Sequence, residues 1–172
     1  MPRTADPTDI RFAYINGLAA INAAVAPAGA PINALHIGGG GATMPRYIEA
    51  TRPGSFNQVL EVDRGVVKLD KDELGLRTSD RLRVRVVDGR VGLAESATDS
   101  YDFVIGDAFG GVSVPWHLTT VETARDVQRV VKPGGIYAFT TSNEDLAKLG
   151  AFMHYASGRG YRFVTVNALL GF

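Results

Sequence analysis

The sequence predicts an α/β domain built on a doubly wound, mainly parallel sheet. Three observations carry that expectation. Short apolar runs alternate with amphipathic stretches along almost the whole chain, as parallel strands and crossover helices do. The apolar runs are hydrophobic at nearly every position, which suits strands covered on both faces. The first run meets four consecutive glycines, Gly38 to Gly41, where a strand turns directly into a helix.

Each element follows from its own pattern. Residues 1–7 read as a loose start. From Thr8, Ile10, Tyr14, Leu18, Ile21 and Val25 form a helical stripe, with Thr8 or Asp9 as cap and Pro27 and Gly29 as terminators. Residues 32–37 are a buried strand, and 44–51 a helix with Pro45 in its first turn, where proline is tolerated. Strand 57–63 and helix 64–74 follow. Strand 81–90 alternates Arg81, Arg83 and Arg85 with Leu82, Val84 and Val86. That is the pattern of an edge strand whose charges discourage sheet-to-sheet pairing; a phosphate-binding stripe is the alternative. A short helix at 91–96 precedes strand 101–109. Helix 119–131 is closed by Lys132-Pro133-Gly134-Gly135, strand 135–141 follows, and helix 143–160 is capped by Asn143. A last strand occupies 161–168.

Composition narrows the function classes. The chain has 172 residues, 45% hydrophobic and 21% charged, enough for one domain with its own core. Its formal net charge is zero, which argues against nucleic acid as the main partner. There is no cysteine, so disulfides, thiolate nucleophiles and cysteine metal sites are excluded. His36, His117 and His154 lack metal-ligand spacing, so no metal is expected. No run is long enough to span a membrane, and no signal peptide is legible. A cytoplasmic location is the default expectation.

In an open parallel sheet, ligands bind beyond the carboxyl ends of the strands, where strand order reverses. There the sequence places the glycines after the first strand, Glu61 and Asp63 after the second, Asp88-Gly89 after the third and Asp107 after the fourth. A carboxylate accepts two hydrogen bonds and suits vicinal ribose hydroxyls, and Glu61 lies about 20 residues beyond the glycines, the usual spacing for that role. Asp88 is placed to accept from an adenine amino group, though Asp-Gly is also an ordinary turn. The series predicts an adenosine-type ligand. The dinucleotide fingerprint fits Gly38 and Gly40 but meets Thr43 at its third glycine, and no Lys-Ser or Lys-Thr follows as in a P-loop.

The blocks "HIGGGGATMPRYI", "VLEVDRGVVKL", "VVDG", "YDFVIGDAF" and "VVKPGGIYAFTT" occur in an order that resembles the spermidine synthase (polyamine aminopropyltransferase) family. That family is a branch of the class I S-adenosylmethionine-dependent methyltransferase fold, and the resemblance covers roughly residues 10–165. It implies a single methyltransferase-like domain without the family's N-terminal β domain. It further implies that Gly38, Gly39, Gly40 and Gly41 lie against a nucleoside donor, either S-adenosylmethionine or its decarboxylated form. Glu61, with Asp63 nearby, would hold the ribose; Asp88 and Gly89 would contact the adenine; Asp107 would match the catalytic aspartate. The loop from Ala108 to Leu118 would border the acceptor pocket.

The chain departs from the pattern in two informative places. Gly41 stands where the family carries an acid after three glycines, and Gly110 and Gly111 replace a second Asp and a proline. Cationic donors and polyamine acceptors need carboxylate partners when buried, so these losses favour the ordinary donor, whose tail carboxylate the Gly41 N–H would welcome. Aminopropyl transfer, methyl transfer to a non-polyamine acceptor, and a non-catalytic binding domain all remain open. Phe109 could wall the acceptor pocket. Trp116 is expected to pack the loop onto the sheet, with His117 at the surface; the functional alternatives are stacking on an acceptor and general base. His36 reads as a satisfied core histidine. The fold type usually ends in a two-strand hairpin, of which one strand is legible, and such an edge would favour a homodimer. The expected partners are therefore a small-molecule donor and an acceptor the sequence does not name.

Overall fold

The computed structural model describes residues 6–109, 113–142, 150–156 and 161–167. Within them six strands form one sheet: β1 (Asn33–Ile37), β2 (Phe56–Glu61), β3 (Leu82–Val86), β4 (Tyr101–Gly106), β5 (Val131–Thr141) and β6 (Arg162–Asn167), in the order β3-β2-β1-β4-β5-β6. Every pairing is parallel, including β6 beside β5. Chain order reverses between β1 and β4, so the carboxyl ends of these two strands form the switch point.

Helices cover both faces. α1 (Ala13–Val25) and α2 (Thr43–Thr51) pack Leu18, Met44 and Ile48 against Phe103, Ile105 and Ala138. α4 (Gly89–Ala94), α5 (Val121–Val130) and α6 (Gly150–Ala156) cover the other face, where Leu93, Val127 and Phe152 meet Leu35, Val104 and Tyr137. Phe103 and Ile105 lie on one face of β4 and Val104 on the other, the period-2 alternation of a strand. α3 (Arg64–Asp72) links β2 to the edge strand β3.

Several expectations are corrected. Helix α1 begins at Ala13, not Thr8, and has no side-chain cap. Thr8 instead bonds the Asp6 carboxylate, and Asp9 pairs with Arg11, so these residues make local turns. Helix α5 ends at Val130, and Lys132 to Gly135 belong to β5. Val131 pairs with Tyr101 and Ile136 with Phe103, so the intervening residues bulge out opposite Asp102. Lys132 Nζ closes the bulge with two 2.9 Å contacts to Asp102. Of the expected helix 143–160, Gly150–Ala156 is described as α6, with His154 exposed on it; the Asn143 cap lies outside the described residues.

The β3 arginines mark an edge strand, as their alternation predicts. Arg83 stacks over Phe56 at 5.6 Å, Arg85 pairs with Glu95, and Arg81 donates to the Gly54 carbonyl. His36 is a core histidine whose Nε2 lies 3.0 Å from Asn57 Oδ1. Burial lowers its pKa to about 4, so it is neutral at physiological pH.

Arg52 fixes α1 in place. Fully buried, its guanidinium donates to the carbonyls of Asn22, Ala26, Pro27 and Ala30 and to Asn22 Oδ1, at 2.7–3.2 Å. These bonds satisfy carbonyls that the helix end leaves without partners. Arg52→Lys offers three donors where five are used, so it should lower stability by about 2 kcal/mol. Thermal denaturation checks this; an unchanged Tm would show that the fork does not hold the α1 end.

Candidate functional site

A cleft of about 530 Å³ opens at the switch point, within the range of small-molecule sites. Its wall includes Gly38, Gly39, Gly40, Glu61, Asp63, Asp88, Gly89 and Asp107. Eight of the nine candidate residues named from the sequence therefore face one space. Gly41 is the exception.

The glycine turn is shaped by close approaches. Gly38 has φ +97°, and a Cβ there would sit 2.3 Å from the Asp107 carbonyl oxygen. Parallel pairing of β1 with β4 produces this contact, and the Asp107 N–H donates to the Ile37 carbonyl at 2.8 Å. A Cβ on Gly39 would lie 2.7 Å from Val59 Cγ1. The Gly39 N–H donates to Glu61 Oε2 at 2.7 Å, and the Asp63 N–H to Glu61 Oε1 at 2.9 Å. Both Glu61 oxygens are thus aimed by backbone, and each keeps a second lone pair for a ligand hydroxyl. Asp63 caps α3 through a 2.6 Å bond from the Gly65 N–H.

Asp88 caps α4 through Oδ1, accepting from Arg90 and Val91, while Oδ2 lies 2.9 Å from His117 Nε2. Gly89 lets α4 press on β1: a Cβ would meet Ile37 Cγ2 at 2.6 Å. At the β4 end, Asp107 Oδ1 accepts a 2.6 Å bond from the Thr140 hydroxyl on β5. Its Oδ2 has no hydrogen-bond partner among the described residues. Burial raises the Asp107 pKa, and the Thr140 bond only partly offsets this. Tyr14 of α1 reaches the same cleft; burial, reinforced by the Asp107 charge, pushes its hydroxyl up to about 12.

Three sequence expectations change here. The Gly41 N–H is not open to a ligand carboxylate, because Asp70 of α3 accepts from it at 3.1 Å. Asp70 is buried. Trp116 does not pack the loop onto the sheet: it is 78% exposed. His117 is not a free surface residue but lines the cleft, bonded to Asp88. Tyr14, Thr140 and Asp70 were not legible as site residues. Tyr14 sits in an apolar stripe, and Thr140 and Asp70 gain their meaning from partners 33 and 29 residues away. Phe109 lines the cleft. Among the described residues no group of three or more His, Asp or Glu side chains could hold a metal ion, and no helix is long and apolar enough to cross a membrane.

No family model matches the chain. It is 28% identical over 113 residues to the polyamine aminopropyltransferase of Vibrio vulnificus, a match covering 64% of this chain and 38% of that protein. A probable spermidine synthase from Corynebacterium glutamicum superposes with a TM-score of 0.68 at 29% identity, over 77% of this chain and 49% of that one. Human methyltransferase-like protein 13, solved in complex with SAH, superposes at 0.62 with 21% identity, over 83% and 69%. The chain thus spans less than half the length of the first two relatives. The fold is spermidine synthase-like and Rossmann-like, of the S-adenosylmethionine-dependent type.

Proposed function

On this S-adenosylmethionine-type fold, we propose that the chain binds an adenosyl-sulfonium donor in the cleft and transfers an alkyl group from it to an acceptor. The observation that carries the reading is the placement of Asp107, with one oxygen free, across the switch point from a glycine turn locked onto Glu61. In this reading the nucleoside lies against the Gly38–Gly40 backbone, a turn that Gly38 and Gly39 allow to pack closely on β4 and β2 and whose Gly40 carries no Cβ contact. Glu61 takes the ribose hydroxyls, and Asp88 and Gly89 border the base. Asp63 flanks the ribose and caps α3. Bound there, the donor supplies an electrophilic carbon, and attack on it breaks the carbon–sulfur bond and leaves a neutral thioether.

The protein's own groups then handle one proton. The acceptor nitrogen forms the new bond with its lone pair and sheds a proton to Asp107 Oδ2, while Thr140 holds Oδ1. Tyr14, with its pKa near 12, keeps its proton and orients the acceptor. The donor can be S-adenosylmethionine or the decarboxylated form. The sequence-level reason for preferring the former is gone, since Asp70 already occupies the Gly41 amide.

Mass spectrometry of reactions containing each donor and a panel of amines tests the reading and separates methyl from aminopropyl transfer. Donor binding without any mass gain would leave a binding domain and sink the transfer step. Glu61→Gln gives a second check. Its amide must turn an NH₂ toward either the Gly39 or the Asp63 N–H, so one donor faces another. Donor affinity should fall about 10–100-fold by calorimetry, and an unchanged affinity would remove Glu61 from the site.

A further inference from the structure

We propose that the acceptor is an amine with a single ionisable nitrogen and an apolar or aromatic body, rather than a diamine or longer polyamine. The inference rests on the donor-site reading above and concerns the other half of the same cleft.

Charge in the lining comes first. Four carboxylates face the cleft: Glu61, Asp63, Asp88 and Asp107. Both Glu61 oxygens are held by backbone N–H groups, and both Asp88 oxygens by the α4 N-terminus and His117. Asp63 is exposed and caps α3. Asp107 is therefore the one partly buried acid in the described lining with an oxygen free of protein partners. It can hold one ammonium. A diamine brings a second cation, and a buried cation without a carboxylate is costly.

The surroundings of Asp107 are apolar. Ala108, Phe109 and Pro115 line the cleft with Tyr14. Val62, 68% exposed, also lines the cleft. Exposed apolar side chains such as Val62 and Phe109 in a cleft wall form a surface that apolar ligand atoms can cover. One anion in an apolar wall matches one cation on an apolar body.

Calorimetric titration decides between the two classes. The probes are 2-phenylethylamine, hexylamine and 1,4-diaminobutane, each added to the full chain with and without saturating 5′-methylthioadenosine, which fills a nucleoside site and leaves the rest of the cleft open. The monoamines should bind at least about 10-fold tighter than the diamine. Phe109→Ala should weaken 2-phenylethylamine about 10-fold and leave the diamine unchanged, whereas Asp107→Asn should weaken all three. A diamine that binds as tightly as the monoamines overturns the inference, and so does the absence of any amine binding. Failure of 5′-methylthioadenosine to bind counts against the donor site alone, because the order of the amines is read in the free protein as well.

Discussion

Asp107→Asn is expected to slow group transfer by about 10²–10⁴-fold, the range for loss of a proton acceptor, without lowering thermal stability. Asparagine keeps an oxygen for the Thr140 hydroxyl, so the local bond at 2.6 Å survives. What disappears is the partly buried charge. Because burial raises the folded pKa of Asp107 above 3.8, the unfolded chain ionises this group more readily than the folded one. Its contribution to stability is therefore greatest below 3.8 and declines as pH rises toward the folded pKa. At neutral pH the variant should be as stable as the parent or more so, and the two should converge in acid. The same shift sets the parent's activity profile: turnover should fall as pH drops through the raised Asp107 pKa, and the variant should lose that limb. A stopped-time rate series against pH, paired with thermal denaturation, reads both. Full activity in Asp107→Asn would remove this residue from the chemistry.

The second large effect falls on the fold itself. Gly38→Ala should cost about 4 kcal/mol, a Tm drop on the order of 10 °C. Two costs add. The residue has φ +97°, which side chains rarely adopt, and the new Cβ would lie 2.3 Å from the Asp107 carbonyl oxygen. Main-chain geometry fixes the position of both atoms, so no rotamer change relieves the contact; β1 and β4 would have to part at the point where the cleft forms. Gly40→Ala is the control. A Cβ there meets nothing within 4 Å, and its φ is not in the left-handed region. It should change stability by less than about 0.5 kcal/mol. Equal losses in the two variants would show that glycine matters in this turn for chain flexibility rather than for close approach.

Much of the site was legible because it follows from strand ends. Apolar strands separated by amphipathic helices give a parallel sheet, and a parallel sheet puts every strand's carboxyl end on one side. The residues just past those ends, Gly38, Glu61, Asp88 and Asp107, had to share that side whatever the packing details. The edge position of β3 was legible for a similar reason: charge alternating with Leu82, Val84 and Val86 suits a strand with one open side. Element ends were less secure. Thr8 and Asp9 are good capping residues, but their side chains found nearer partners in Asp6 and Arg11. Lys-Pro-Gly-Gly reads as a helix stop and a loop, yet the sheet extends past it because Val131 pairs with Tyr101.

Which atoms remain available was decided only by the tertiary structure. The sequence shows four glycines and leaves the Gly41 N–H open; the fold brings Asp70 of α3 to accept from it. It shows an aspartate after β3, but not that His117 reaches back across 29 residues to occupy its second oxygen. It shows Tyr14 on an apolar stripe, but not that a buried arginine at the far end of α1 helps hold the helix where its hydroxyl meets the cleft. The physical reason is the same in each case. Strand direction and burial follow from local periodicity, which a chain carries along its length. Hydrogen-bond satisfaction depends on pairs distant in sequence, and only packing determines which partner arrives first.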